Sequence, residues 1–244
     1  MSTIGQGSMN NKTARTAGLL YLIVVLTGIF SIAYVPSQII VRGDALATVS
    51  NITSSESLFR LGIVAGFVCY TAFLLLPFAL YKLLSPVGKS IAVLMVAFAV
   101  VSVPLSFVNL LNKLDILSLL SGADYLQGFT REQLHAQVML SLDAYRNGLL
   151  ASKIFWGLWL LPFGYLVFKS GFLPRVLGVL LMMGCFGYLI DFFGRALFPG
   201  YTETIIARFV TLPASLGEIG TCLWLLIMGV RQPKGSVASV RVAV

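Results

Sequence analysis

Histidine is almost missing from this sequence, acidic residues are scarce, and the motifs of the common catalytic sites are absent. His135 is the only histidine in 244 residues. Bis-histidine haem, HExxH zinc and histidine-rich di-iron sites therefore have no ligands. Cys69, Cys185 and Cys222 stand singly, giving neither a disulfide framework nor a CxxC pair. No GxSxG, Walker or GxGxxG sequence occurs, so nothing points to a serine hydrolase, a phosphate loop or a dinucleotide fold. The residues call for no cofactor and no metal. Charged residues make up only 11% of the chain, against about 25% in a soluble domain.

What fills the space is apolar. Hydrophobic residues reach 58%, more than a single water-facing core can hide. They cluster into six runs long enough to cross about 30 Å of hydrocarbon, at 16–35, 59–81, 90–112, 149–168, 174–193 and 209–230. Backbone groups in lipid must be satisfied within their own segment, so these runs are helices. The alternating pattern of a membrane barrel is absent. The expected fold is all-α, a six-helix membrane bundle forming one domain over 1–230, followed by a disordered tail at 231–244. The first run contains SIA at 31–33, which has the form of a signal-peptidase site. Its apolar core exceeds the usual signal length of about 7–15 residues, so it is read as a retained helix.

Charge gives the expected orientation. Lys12, Arg15, Lys82, Lys89, Lys169, Arg175, Arg231, Lys234 and Arg241 fall on one side with no acidic residue among them. The other side mixes both signs. Positive residues favour the cytoplasm, so both termini are expected there. The net charge of +8 then reflects topology and anionic lipid. It predicts membrane lipids as partners and no nucleic acid, because the basic residues form no compact patch.

The connections on the opposite side are long. DALATVSNI offers Asp44 as an N-cap and Leu46, Val49 and Ile52 on one face. Further on, Thr130 and Gln133 form a capping box, followed by Leu134, Val138, Leu142 and Tyr145 at helical spacing. Both segments are expected as short amphipathic surface helices. Residues 75–95 also resemble 160–182. A parallel hairpin repeat and convergence at membrane boundaries both account for that likeness.

Within the runs, polar residues are ordered. Thr211, Ser215, Glu218 and Cys222 share one helical face, and Ser102, Ser106, Asn109 and Lys113 repeat the same spacing with Asn112 beside them. Tyr188, Asp191 and Arg195 group on the fifth run, while Arg60 and Lys153 open the second and fourth. Ionisable groups at membrane depth are costly and face a bundle interior or a wet cavity. The expected site is an outward-facing pocket using Glu218, Asp191, Arg195, Arg60, Asn109, Asn112, Lys153 and Tyr188. Interhelical hydrogen bonding is the plain alternative for the Ser, Thr and Asn stripes. Snorkelling is the plain alternative for Lys113 and Lys153, an interfacial ion pair is that for Asp191 and Arg195, four apart, and GIVAG at 62–66 reads as a packing motif. Pro77, Pro104, Pro162 and Pro213 are expected to kink four helices.

ARTAGLLYL at 14–22, SLFRLG at 57–62, SGFLPRVLGVLL at 170–181, GYLID at 187–191, FPGY at 198–201 and LPASLGE at 212–218 carry a family likeness. Together they resemble DUF4386, a domain of unknown function in bacterial multi-span membrane proteins. The resemblance implies a bacterial cytoplasmic-membrane protein of this topology and no particular activity. It places Arg60, Arg175, Asp191 and Glu218 in the family's motifs. The functional expectation is a binding or transport protein for a small molecule, ion or lipid headgroup, acting alone or as an oligomer. A lipid-binding or regulatory subunit is one alternative, and an enzyme using carboxylates alone is another.

Overall fold

The computed structural model describes residues 3–230, with side chains from Asn11 onward. The tail at 231–244, expected to be disordered, lies outside the described residues. Among the described residues every regular element is a helix. Besides two 3-10 turns at Asp124–Leu126 and Tyr201–Glu203, they are α1 (Thr3–Gly28), a π-helical segment (Ile29–Tyr34), α2 (Val35–Ile39), α3 (Ala45–Ser54), α4 (Glu56–Leu84), α5 (Lys89–Leu119), α6 (Arg131–Ser170), α7 (Arg175–Leu197), α8 (Ile205–Phe209) and α9 (Leu212–Ile227). Six stretches among the described residues are long and apolar enough to cross a membrane, beginning with Asn11–Ile39 and ending with Ile205–Ile227. Only 22% to 50% of each hydrophobic window is buried within the chain. Large side chains such as Leu26, Val64, Val108 and Phe186 lie on outward faces. Lipid is the solvent that accepts such surfaces.

Contacts divide the chain into two compact units. The described part of the first is 3–19, 76–97 and 157–230; the second is 20–75 and 98–156. In the first unit, helices approach through glycine. A Cβ on Gly178 would stand 2.6 Å from the Gly164 carbonyl oxygen, and a Cβ on Gly184 would stand 2.7 Å from the Ala214 Cα. A Cβ on Gly18 would meet the Leu226 backbone nitrogen at 2.6 Å. In lipid, helix pairs gain little from hydrophobicity, and small residues that let backbones touch supply the van der Waals contact instead.

The second unit has an apolar core formed by Val35, Ile39, Val49, Ile52, Phe59, Ile63, Ile116, Val138 and Leu142. Its helix starts match their sequence signals. Asp44 Oδ1 accepts from the Ala47 N–H at 2.8 Å. The capping box closes both ways, with the Thr130 N–H donating to Gln133 Oε1 at 2.8 Å and the Gln133 N–H donating to Thr130 Oγ1 at 3.3 Å. Val49 and Ile52 turn inward, whereas Leu46 is 67% exposed and does not join them. The amphipathic stretch after Thr130 is continuous with the fourth span in one helix of 40 residues.

The prolines separate into two kinds. Pro77, Pro104 and Pro162 lie inside helices. Pro213 instead occupies the first turn of α9, where its missing N–H costs no intrahelical bond. It starts a helix there and kinks none. GIVAG packs as its pattern suggests: a Cβ on Gly62 would meet Val35 at 3.0 Å, and one on Gly66 would meet Leu110 and Ser31 at 2.9 and 3.0 Å.

Candidate functional site

The first unit holds two of the expected groupings. Asp191 is buried, and Arg195 donates from Nε to its Oδ1 at 2.9 Å. The pair is one helical turn apart on α7, so the helix itself brings the two side chains together. The Tyr188 hydroxyl donates to Glu218 Oε2 at 3.4 Å, linking α7 to α9. Glu218 is half-buried and Ser215 is exposed. Gly187, next to Tyr188 on α7, meets the Val210 carbonyl oxygen closely enough to leave no room for a side chain.

Asn109 and Asn112 come together in the second unit. Asn109 donates from Nδ2 to the Tyr145 carbonyl at 2.9 Å, and Asn112 donates to the Asn109 carbonyl at 3.0 Å. Gly148 makes that approach possible, because a Cβ there would overlap the Asn109 amide. Lys153 is half-buried in the same unit. Arg60 joins none of these groups; its Nε donates to Glu56 Oε1 at 2.6 Å, with side chains 58% and 50% exposed.

Burial sets the worth of two ion pairs that are chemically alike. An exposed pair contributes about 0–1 kcal/mol. Removing one member of a buried pair costs more, since the other loses its compensation. Glu56→Gln is therefore expected to change stability by less than about 1 kcal/mol, and Asp191→Asn to cost about 2 kcal/mol. Thermal unfolding of both variants in one detergent checks this; equal costs would refute the assignment by burial.

Lys113 is the residue that sequence reasoning undervalued. It continues the α5 stripe of Ser102, Ser106 and Asn109, all of them buried, and is itself only 3% exposed. Snorkelling would leave the ammonium in water. Instead Nζ donates to the Ser31 carbonyl at 3.2 Å and lies 4.2 Å from the centre of the Tyr145 ring. The carbonyl is available for a reason written in the backbone. In the π-helical segment the Val35 N–H donates to the Phe30 carbonyl, five residues back. The next bond in that register would run from residue 36 to Ser31, and Pro36 has no N–H. Lysine takes over the missing donor's place. The Ser31 hydroxyl donates across to the Gly62 carbonyl at 2.6 Å, tying the π-helical segment to α4. Among the described residues no carboxylate reaches Lys113.

Lys113 and Tyr145 belong to the lining of a cavity of about 140 Å³ within the second unit. The described residues contain no cluster of three or more potential metal ligands among His, Cys, Asp and Glu. The signal that could have exposed Lys113 in the sequence was the proline at 36, which orphans a carbonyl at span depth. That signal becomes legible only once the π-helical register and the α5 approach are known.

An all-helical, multi-pass membrane protein with charged groups sequestered at span depth is the class these features define. The chain belongs to the family described as Domain of unknown function (DUF4386), which matches residues 16–229. It is similar to an uncharacterized protein of Archaeoglobus fulgidus, with 32% identity over 151 residues, covering 62% of this chain and 73% of that protein. No solved structure matches the chain.

Proposed function

We propose that this is a binding or transport protein of the bacterial cytoplasmic membrane, with both termini in the cytoplasm, and that its ligand carries negative charge. The observation that carries the reading is Lys113, a buried cation without a carboxylate, in the lining of a cavity. Apart from the face of the Tyr145 ring, Lys113 has one carbonyl as its partner, so most of the cost of burying its charge stays uncompensated. A ligand anion supplies the compensation. Glu218, Asp191, Arg195 and Tyr188 form a second polar group in this proposal, available to a proton or a cation in a transport cycle. The apolar character of the cavity favours a lipid headgroup over a freely hydrated ion, which keeps a lipid-binding subunit without transport as the second reading.

The test is a solute screen on the purified protein and on Lys113→Met, read as unfolding temperature. At least one anionic compound is expected to stabilise the wild type by several degrees and leave Lys113→Met unmoved. If anions, cations and uncharged solutes shift both proteins alike, the buried polar stripe serves packing only. Flux of the stabilising compound into proteoliposomes then separates transport from binding.

A further inference from the structure

The cavity around Lys113 is lined mainly by apolar side chains, among them Ile32, Val35, Ile39, Phe59 and Leu142. Arg146, whose side chain is 64% exposed and pairs with Asp143, marks its rim. Lys113 and Tyr145, 3% and 4% exposed, are the buried polar members of the lining.

Three features restrict what fits. The ammonium has three donors, and the Ser31 carbonyl uses one of them. The buried Tyr145 hydroxyl makes no well-formed hydrogen bond among the described residues, and the Ser31 hydroxyl near it gives its own proton to the Gly62 carbonyl. Buried polar groups are normally satisfied, so an orphan hydroxyl beside an uncompensated cation describes half of a binding site. The missing half is an acceptor with negative charge. The walls add the third restriction, because a small hydrated anion would lose its water against side chains that offer nothing in return. An apolar chain gains from the same walls. The volume of about 140 Å³ is close to that of an apolar cavity that admits benzene. It takes a head and its first carbons, not a whole two-chain lipid.

We propose that this cavity binds the head of a single-chain anionic amphiphile, a carboxylate or a phosphate monoester. Lys113 is the counter-ion, the Tyr145 hydroxyl is a second donor, and the ligand's chain leaves past Arg146 into the lipid. The inference rests on the anion-binding reading above and specifies its ligand class.

The experiment uses the full chain in an uncharged maltoside detergent. Decanoate is compared with decanol, and lysophosphatidic acid with lysophosphatidylcholine, so that each pair differs in head charge at matched chain length. Acetate and inorganic phosphate are run as chain-free anions. Unfolding temperature and native mass spectrometry are the readouts. Decanoate or lysophosphatidic acid is expected to raise the unfolding temperature by about 5 °C near 100-fold excess over Kd, while its partner does not. The two anionic arms show whether the head is a carboxylate or a phosphate. Lys113→Met is expected to lose at least tenfold in affinity for the responding compound. Tyr145→Phe keeps the ring that faces Lys113 and is expected to lose about fivefold to tenfold. It carries the test if Lys113→Met does not fold.

Equal response to the anionic member and to its net-neutral partner in both pairs overturns the proposal. So does wild-type affinity in both variants. If acetate or phosphate stabilises the wild type through Lys113 and the amphiphiles do not, this inference fails while the anion-binding reading stands. If nothing anionic binds, both fail together.

Discussion

Gly178→Val is expected to destabilise the protein by about 3 kcal/mol, enough to lower its unfolding temperature by many degrees. A Cβ at 178 would stand 2.6 Å from the Gly164 carbonyl oxygen and 2.7 Å from the Phe168 backbone nitrogen. Those neighbours are main-chain atoms of α6 and cannot rotate away, so the helices must separate. Separation is costly in a bilayer, where the close van der Waals fit of helix on helix is the main attraction. Gly128→Ala is the control, since nothing lies within 4 Å of a Cβ there. It is expected to stay within about 0.5 kcal/mol of wild type. Thermal unfolding followed by size-exclusion recovery measures both. Similar midpoints for the two variants would show that the Gly164–Gly178 contact does not hold the α6–α7 hairpin.

Lys113→Ala is expected to cost about 3 kcal/mol, and Lys113→Met about half of that. Alanine removes the donor to the Ser31 carbonyl and also leaves a void under Tyr145; methionine fills the void and loses the donor, and removal of the buried charge offsets part of that loss. A third variant tests the backbone argument. Pro36→Ala restores an N–H that can serve the Ser31 carbonyl from within its own helix. In that background Lys113→Met is expected to cost about 1 kcal/mol less than in the wild-type background. An additive cycle would mean that the proline is not what creates the need for lysine.

The helical class and the six spans were legible because length and hydropathy are local properties. So were the Asp44 cap and the Thr130–Gln133 box, whose bonds close within one turn. Asp191 with Arg195 was readable for the same reason, being four apart on one helix. Local spacing misjudged Leu46, which shares a face with Val49 and Ile52 in projection but lies beyond the reach of the core. It also misjudged Pro213, where the sequence could not show that the span restarts after α8.

Lys113 shows the limit most sharply. Its position in the α5 stripe follows from i, i+4 spacing, yet spacing is equally compatible with snorkelling. Its burial depends on Ser31, 82 residues away, and on Tyr145, 32 residues away in the other direction. By itself the sequence determined that this chain is an all-helical membrane protein and which faces of its helices are polar, because composition and period act residue by residue. Only the tertiary structure decided which polar groups meet, because a hydrogen bond or a buried charge is settled by what another helix places opposite it.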